Sequence, residues 1–301
     1  MPKSESIFGR LITAMVTPFD PSGQVDIDQA EKLSQHLVAT GTTSIIVTGT
    51  TGEGPTLTSQ ESLNLYSAVK ASVGTKAKVI AGTTSYDTAK SIQLSKQAES
   101  LGVDGILMTV PYYNKPPQDS LYKHFSVIAE QISIPGILYN VPTRTATNMS
   151  AETTIKLSRI QNIVGIKEAS GDLQQISKII ELTSDDFLVW SGNDIDTLPI
   201  LSIGGYGVVS VASHLVGKDI SEMIKHFTKG DILLAAQTHR KLQPLIDAIF
   251  MVTSPIPLKY MLNYLGCEVG DPRLPLTPAN RETQMYLETI LSKLNVDRIN
   301  I

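Results

Sequence analysis

Lys167 lies in the middle of an apolar segment, IVGIKEAS at 163–170, which predicts a short buried strand closed by a Ser-Gly-Asp turn. Burying an ammonium ion is costly unless the ion is paired or its pKa falls. Because side chains alternate along a strand, Gly165, Lys167 and Ala169 share one face, and the two small residues leave room beside the amine. A neutral amine beside open space can form an imine with a ketone. The alternative is a lysine at a strand end that extends to water or pairs with a carboxylate.

A second candidate for chemistry is the segment GTTGEG at 49–54. It is glycine-rich, but it matches neither GxGxxG nor a P-loop, which argues against a nucleotide. The adjacent hydroxyls of Thr50 and Thr51, on a tight turn with free backbone N–H groups, suit a small carboxylate. The alternative is a plain turn, because Gly and Thr are common there.

Further polar residues follow other predicted strands, in PYYNKPP at 111–117, YNVPTRT at 139–145 and SGND at 191–194. Phenols such as those of Tyr113 and Tyr139 can carry protons, although tyrosines at strand ends are often only hydrogen-bonded edges of a core. Arg144 offers a two-pronged donor for a carboxylate, or it is simply solvated. Gly192 permits close backbone approach to a ligand.

Eight apolar, β-branched segments alternate with helical patterns, which predicts parallel strands covered by helices. Eight such units favour a closed (β/α)8 TIM barrel over an open doubly wound sheet, so the fold class is α/β. The predicted strands are Leu11–Phe19, Thr43–Gly49, Lys78–Gly82, Gly105–Val110, Gly136–Val141, Ile163–Ala169, Phe187–Ser191 and Gly207–Ala212. In such a barrel the active site lies at the carboxyl ends of the strands, where the motifs above fall.

The helix starts carry recognisable signals. Thr58 and Glu61 fit a capping box, and Asp119 and Asp172 could each cap a helix. The helix after Asp172 is expected to bury Leu173, Ile176, Ile179 and Ile180.

After the eighth strand the pattern becomes wholly helical. Helices are predicted at Asp219–Phe227, Ile232–Phe250, Pro257–Leu265 and Pro278–Leu294. The last is expected to start at Thr277-Pro278, because proline suits the first helical position. We therefore expect the barrel to occupy residues 1–229 and a C-terminal helical extension to occupy 230–301.

Composition excludes several classes of protein. The 301 residues are 42% hydrophobic and 18% charged, which supports a sizeable core. A net charge of −4 without a basic run argues against nucleic acid and membrane surfaces as partners. Cys267 is the single cysteine, there is no signal-peptide pattern, and no apolar run reaches 18 residues, so we expect a cytoplasmic location.

Other reaction classes have little support. The five histidines lack HExxH or His-x-His spacing, so we expect no metal site. No GxSxG motif supports a serine hydrolase, and Cys267 lies beyond the barrel, where we expect an inert small hydrophobe.

Taken together, GTTGEG, PYYNKPP, YNVPTRT, GIKEASGD at 165–172 and SGND resemble the dihydrodipicolinate synthases. These belong to the pyruvate aldolase superfamily that also holds N-acetylneuraminate lyase. The resemblance covers essentially the whole chain, including PSGQVD near the start and SPIPLKYML in the extension.

The resemblance implies a role for each matching residue. Lys167 would form the Schiff base with pyruvate, and Tyr139 would pass protons above it. Thr50 would link Tyr139 to Tyr113, which would reach in from a neighbouring subunit. The carboxylate of pyruvate would be held by Thr50 and Thr51, with backbone from Gly192 and Val209 around it. Arg144 would bind the carboxylate of aspartate semialdehyde.

The implied reaction is the condensation of pyruvate with L-aspartate 4-semialdehyde in diaminopimelate and lysine biosynthesis, with no cofactor or metal and in a homotetramer built from dimers. Arg144 and the GTTGE turn favour this reaction, because the sialic acid and keto-sugar aldolases usually lack the arginine and more often show Ser-Thr at the turn. The alternatives are an aldolase or lyase acting on another 2-keto acid, and a keto-acid-binding protein without turnover.

One departure from the family concerns regulation. Family members inhibited by lysine carry histidine and glutamate near a site at the dimer interface. By motif offset the matching positions here are Ser59, Ser62 and Lys90, with Tyr86 nearby. Because Lys90 repels the amino group of lysine, we expect weak inhibition or none.

Overall fold

Eight parallel strands close into a barrel in this computed structural model, which describes residues 8–294, 296 and 297. The order β1 to β8 around the barrel follows the chain, so the predicted (β/α)8 fold is confirmed. The strands are β1 Leu11–Ala14, β2 Ser44–Val47, β3 Lys78–Gly82, β4 Gly105–Thr109, β5 Gly136–Asn140, β6 Ile163–Glu168, β7 Leu188–Ser191 and β8 Gly207–Ser210. The helices are α1 Ile27–Ala39, α2 Ser59–Val73, α3 Thr88–Ser100, α4 Gln118–Ala129, α5 Pro142–Thr145, α6 Ala151–Leu157, α7 Leu173–Leu182, α8 Thr197–Ser202, α9 Ser213–Lys229, α10 Ile232–Ile249, α11 Ile256–Tyr264 and α12 Arg281–Leu291.

The register between β5 and β6 sets the position of the predicted catalytic residues. Tyr139 lies opposite Lys167, and Asn140 lies opposite Glu168. Because side chains alternate, the first pair points into the barrel and the second pair points outward, toward the helices. Tyr139 belongs to the cluster of side chains that fills the barrel interior.

The first strand is much shorter than predicted. It ends at Ala14 rather than at Phe19, because the Val16 N–H donates to Nε2 of His214 instead of to a neighbouring strand. Phe19 instead forms an isolated antiparallel bridge with Val25. The other seven predicted strands overlap the observed ones and differ by no more than two residues at either end.

Two predicted helix starts are confirmed and two are wrong. Thr58 forms the full capping box with Glu61, and Asp172 accepts hydrogen bonds at the start of α7. Asp119 does not cap α4, which already begins at Gln118 after Pro117 and leaves Asp119 in the first turn. The last helix begins at Arg281 rather than at Pro278, because the Asn280 side chain accepts the Thr283 N–H.

Two further details of the helices differ from the prediction. Leu173 is 41% exposed, since it lies in the first turn of α7, while Ile176 and Ile179 are buried and Ile180 is half-buried. The helix that follows β8, α9, begins at Ser213, six residues before its predicted start at Asp219.

The C-terminal helices share a core with the barrel. Leu242 and Leu245 of α10 and Leu258 of α11 belong to the same buried cluster as Val208 of β8 and Leu65 of α2. The division at residue 230 stays a prediction, but these helices pack directly on the barrel. Within the described residues, no helix is long and apolar enough to cross a membrane.

Candidate active site

The side chain of Lys167 is buried among the residues that fill the barrel and is only 5% exposed. Its Nζ lies 4.1 Å from the centroid of the Tyr139 ring. The pKa of Lys167 falls to about 7, chiefly because burial disfavours the ammonium ion; the Asp194 carboxylate opposes this shift and the Arg144 guanidinium adds to it. A substantial fraction of this amine is therefore neutral at physiological pH, as nucleophilic attack on a ketone requires.

The space beside Lys167 differs in part from the expectation. Gly165 does not leave open room, because a Cβ there would lie 2.6 Å from Cζ3 of Trp190. Gly192 leaves space beside the stem of the Lys167 side chain: a Cβ there would lie 3.1 Å from Cγ of Lys167 and 2.7 Å from Cβ of Ala169. Val209, on β8, is fully buried in the barrel interior.

The protonation of the Tyr139 phenol depends on its burial and on two neighbours, Arg144 and Thr50. The phenol is buried, and burial raises its pKa to about 12, although nearby Arg144 and a hydrogen bond with Thr50 both favour ionisation. The phenol is therefore protonated at neutral pH. The Thr50 side chain therefore lies near the Tyr139 phenol, and the link between them that the resemblance implies stays a prediction.

The GTTGEG turn has a tightly constrained backbone. Thr48 and Glu53 both adopt left-handed conformations, with φ of 58° and 54°, which non-glycine residues rarely do. Gly54 allows the turn to close, because a Cβ there would lie 2.2 Å from the carbonyl oxygen of Thr48. Among the described residues, no backbone carbonyl outside the helices and strands accepts a hydrogen bond from the N–H group of Thr50 or of Thr51. These two donors and the adjacent hydroxyls suit a carboxylate.

Arg144 lies on the short helix α5, where its exposed side chain lines the same cavity as Thr50. This cavity has a volume of about 460 Å³. Its wall also includes the three residues matched to the effector site, Ser59, Ser62 and Lys90, together with Tyr86.

Tyr113 is not brought into this cavity within one chain. Its side chain is 90% exposed, and its φ of 73° is in the left-handed region. The neighbouring Tyr112 does line the cavity, where its ring meets Tyr86 edge-on at 5.3 Å between centroids. The structure therefore groups Lys167, Tyr139, Thr50 and Arg144 and leaves Tyr113 at the surface.

Asp194 is a residue of the site for which the sequence predicted no role. It is 4% exposed, and it accepts hydrogen bonds from the Ser210 hydroxyl and from the N–H groups of Val211 and Ala212. Burial raises its pKa, and these hydrogen bonds and Lys167 oppose that shift. The signal was available in SGND, since an acid directly after a barrel strand lies at the carboxyl end of the barrel.

Glu168 was also missed. On the outer face of β6 it accepts hydrogen bonds from Asn140 at 3.1 Å and 3.3 Å and from the Ser170 N–H at 2.8 Å. Because Asn140 and Glu168 directly follow Tyr139 and Lys167, this buried contact holds the two catalytic candidates in register.

Among residues 8–294, 296 and 297, no group of three or more His, Cys, Asp or Glu could hold a metal ion. Cys267 is buried, and burial raises the pKa of its thiol to about 12.

Residues 7–294 match the model of the Dihydrodipicolinate synthetase family. The chain is 54% identical over 289 residues to 4-hydroxy-tetrahydrodipicolinate synthase from Dehalococcoides mccartyi, covering 96% of this chain and 97% of the relative. It is 48% identical to the protein of that name from Moorella thermoacetica, covering 95% of this chain and 98% of the relative.

The structure is similar to that of dihydrodipicolinate synthase from Cyanidioschyzon merolae with lysine bound, with a TM-score of 0.95, 47% identity and coverage of 96% and 98% of the two chains. It is also similar to the Bacillus anthracis dihydrodipicolinate synthase DapA-2, with a TM-score of 0.94, 46% identity and coverage of 96% and 99%.

Proposed function

The chain belongs to the dihydrodipicolinate synthetase family, and we propose that it condenses pyruvate with L-aspartate 4-semialdehyde; its relatives carry the name 4-hydroxy-tetrahydrodipicolinate synthase. The observation that carries this proposal is the buried Lys167 amine, with its lowered pKa, beside Tyr139 and near Arg144, which lines a cavity together with Thr50. The product belongs to lysine and diaminopimelate biosynthesis, and we propose that the reaction takes place in the cytoplasm.

The first stage is formation of the imine. The neutral Nζ of Lys167 adds to the keto carbon of pyruvate, and loss of water leaves a protonated imine. The Thr50 and Thr51 N–H and hydroxyl groups hold the carboxylate of pyruvate, while Gly192 and Val209 supply backbone around it. Tyr139, beside the amine, delivers the proton that the departing hydroxyl requires.

The second stage forms the carbon–carbon bond. The iminium withdraws electrons, so the methyl group of pyruvate loses a proton to give an enamine, whose carbon attacks the aldehyde carbon of aspartate semialdehyde. Arg144 holds the carboxylate of that aldehyde through a two-pronged contact. The amine of the semialdehyde then attacks the imine carbon, closes the ring and releases the Lys167 amine. Each step moves a proton, which suits a chain of hydroxyls, Tyr139, Thr50 and Tyr113, rather than one base.

The proposal is tested by assaying the protein with pyruvate and each of two aldehydes. Aspartate semialdehyde is expected to be consumed efficiently and N-acetylmannosamine to be a poor substrate, because Arg144 recognises a carboxylate that the sugar lacks. Preference for the sugar would favour the alternative aldolase on another 2-keto acid. Binding of pyruvate without turnover of either aldehyde would indicate a keto-acid-binding protein.

We propose that the chain forms a homotetramer built from dimers, in which Tyr113 of one subunit enters the site of its partner. The exposed ring of Tyr113, on a left-handed backbone, supports this proposal. Strained backbone persists only where surrounding structure maintains it, and a second subunit would supply that structure.

Subunit mixing tests the role of Tyr113. Lys167→Ala and Tyr113→Phe proteins are each expected to be nearly inactive, and mixing them under dissociating conditions restores one intact site in each mixed dimer. In a two-fold dimer each subunit gives Tyr113 to the other, so a mixed dimer has one intact site of two. Random pairing makes half of the dimers mixed, and about a quarter of the wild-type activity is therefore recovered. If Tyr113 acted within its own subunit, mixing would recover none, and that result would contradict the shared site.

Lysine is expected to inhibit the reaction weakly or not at all. Lys90 and the small hydroxyls of Ser59 and Ser62 line the cavity where the inhibited members carry glutamate and histidine, and an ammonium group there repels the amino groups of the effector. Initial rates measured against lysine concentration check this. Half-inhibition below about 1 mM, equivalent to a binding free energy of about −4 kcal/mol, would contradict the expectation.

A further inference from the structure

Glu53, the last side chain of the GTTGEG turn, lies in a fully buried ion pair with a residue from the C-terminal extension. Its Oε1 is 2.8 Å from Nζ of Lys259, which belongs to α11, and the two side chains are 2% and 1% exposed. The Lys259 ammonium group donates a hydrogen bond to the carbonyl oxygen of Asp271 at 3.2 Å. Burial lowers the pKa of Lys259, and the Glu53 carboxylate opposes that shift. The turn that carries Thr50 and Thr51 is therefore tied to a distant part of the chain.

Arg273 adds a second set of contacts from the loop after α11. Its backbone N–H donates to Oε2 of Glu53 at 2.8 Å. Its guanidinium donates to the carbonyl oxygen of Thr56 at 3.1 Å and pairs with Glu61, the acid of the α2 capping box. The extension thus contacts the Glu53 carboxylate through a hydrogen bond to Oε2 and an ion pair at Oε1, and it also holds the segment that follows the turn.

The ring of Phe19 lies within reach of both cations. Nζ of Lys259 is 4.1 Å and Cζ of Arg273 is 4.4 Å from the ring centroid. A cation near an aromatic face gains electrostatic stabilisation, most of all where water is excluded. This arrangement fixes both cations relative to Glu53.

A fully buried ion pair is weak evidence of a contribution to stability, because desolvation of both charges offsets their attraction. A purely apolar contact could join the extension to the barrel as well. The ion pair does something that an apolar contact cannot: it fixes the direction of the Glu53 side chain, whose backbone has the unfavourable left-handed φ of 54°. Such a conformation persists only where neighbouring groups maintain it.

We propose that Glu53, Lys259 and Arg273 form a positioning clamp through which the C-terminal extension holds Thr50 and Thr51 in the shape that binds the carboxylate of pyruvate. None of the three touches the reacting atoms; each acts through the turn. The proposal rests on the proposed function, since it concerns the binding of pyruvate in that same site.

The test measures formation of the imine as a function of pyruvate concentration, by borohydride trapping followed by intact mass. No second substrate is needed. The Lys259→Met variant is expected to need about tenfold more pyruvate for half-maximal trapping, which corresponds to about 1.4 kcal/mol of lost binding. The matched control is Lys241→Met in the same extension, which breaks a solvent-accessible ion pair with Asp219 of α9 and should leave the curve unchanged.

Lys259→Met leaves Glu53 as an unpaired buried charge, so loss of folding could mimic loss of positioning. The double variant Glu53→Gln/Lys259→Met removes both charges and separates the two effects. The proposal predicts that the unfolding temperature of the double variant returns toward that of the wild type. The pyruvate concentration that it needs for half-maximal trapping should stay raised. A double variant that folds and traps pyruvate with the wild-type concentration dependence would overturn the clamp, as would an equal shift in Lys241→Met.

The wild-type protein distinguishes failure of this inference from failure of the proposed function. If the wild type forms no adduct with pyruvate, the proposed function fails. If the wild type forms the adduct and the clamp variants do so with unchanged pyruvate dependence, only the clamp fails.

Discussion

Replacing Lys167 by alanine is expected to abolish condensation, lowering kcat/KM by about 10⁴-fold or more, on the order of the loss that other enzymes suffer when a covalent nucleophile is removed. Lys259, also buried with a lowered pKa, is engaged by Glu53. Steady-state kinetics with pyruvate and aspartate semialdehyde check the prediction.

The Lys167→Met variant serves as the folding control, because methionine retains much of the side-chain volume without the amine. The folded chain binds the Lys167 proton less tightly than the unfolded chain does, since the pKa falls from 10.5 to about 7. The contribution of Lys167 to the free energy of unfolding of the wild type should therefore increase as the pH rises from about 7 to 10.5. The methionine variant should lose that dependence and be at least as stable as the wild type at pH 7. Activity within an order of magnitude of wild type in either variant would contradict the imine mechanism.

The second large effect is expected from Tyr139→Phe. This change keeps the ring against Lys167 and removes only the hydroxyl that lies near Thr50, so the loss reports on proton transfer. We expect kcat to fall by about 10² to 10⁴-fold, the usual contribution of a positioned acid or base.

Borohydride trapping of the Tyr139→Phe protein separates this role from a structural one. The variant should still form the pyruvate adduct, more slowly, because the lysine and the carboxylate site are intact. The control is Tyr122→Phe, which removes a hydroxyl from a partly exposed ring on α4 and should leave turnover unchanged. Near-normal turnover in Tyr139→Phe would assign the proton transfers to another group.

The strands and their order were predictable because the signals are local. A buried parallel strand is a short run of apolar, β-branched residues, and the alternation of side chains along it is enough to place Lys167 on the same face as Gly165 and Ala169. The turn after β2 and the capping box of α2 were equally readable, since each depends on neighbouring residues. The end of β1 was not predictable, because the Val16 N–H donates its hydrogen bond to His214, which is distant in the sequence, and not to a neighbouring strand.

The contacts that the sequence did not predict join distant parts of the chain. Trp190 fills the space beside Gly165, and Gly192 is the glycine that leaves space beside the Lys167 side chain. Asp194 opposes the fall in the pKa of Lys167 across the barrel interior, from a different strand end. The ion pair of Glu53 with Lys259 links a strand-end turn to a helix outside the barrel. Composition and periodicity carry no information about such pairs, which depend on how the elements pack.

The proposed mechanism depends on an imine between Lys167 and pyruvate, and borohydride trapping detects that imine directly. The protein is incubated with pyruvate and borohydride, its intact mass is measured, and the modified peptide is mapped. The mechanism predicts one stable adduct per chain, on Lys167 and not on Lys259, and no adduct in Lys167→Met. An unmodified wild-type protein, or an adduct on another lysine, would contradict the mechanism and leave Lys167 as a buried residue without a catalytic role.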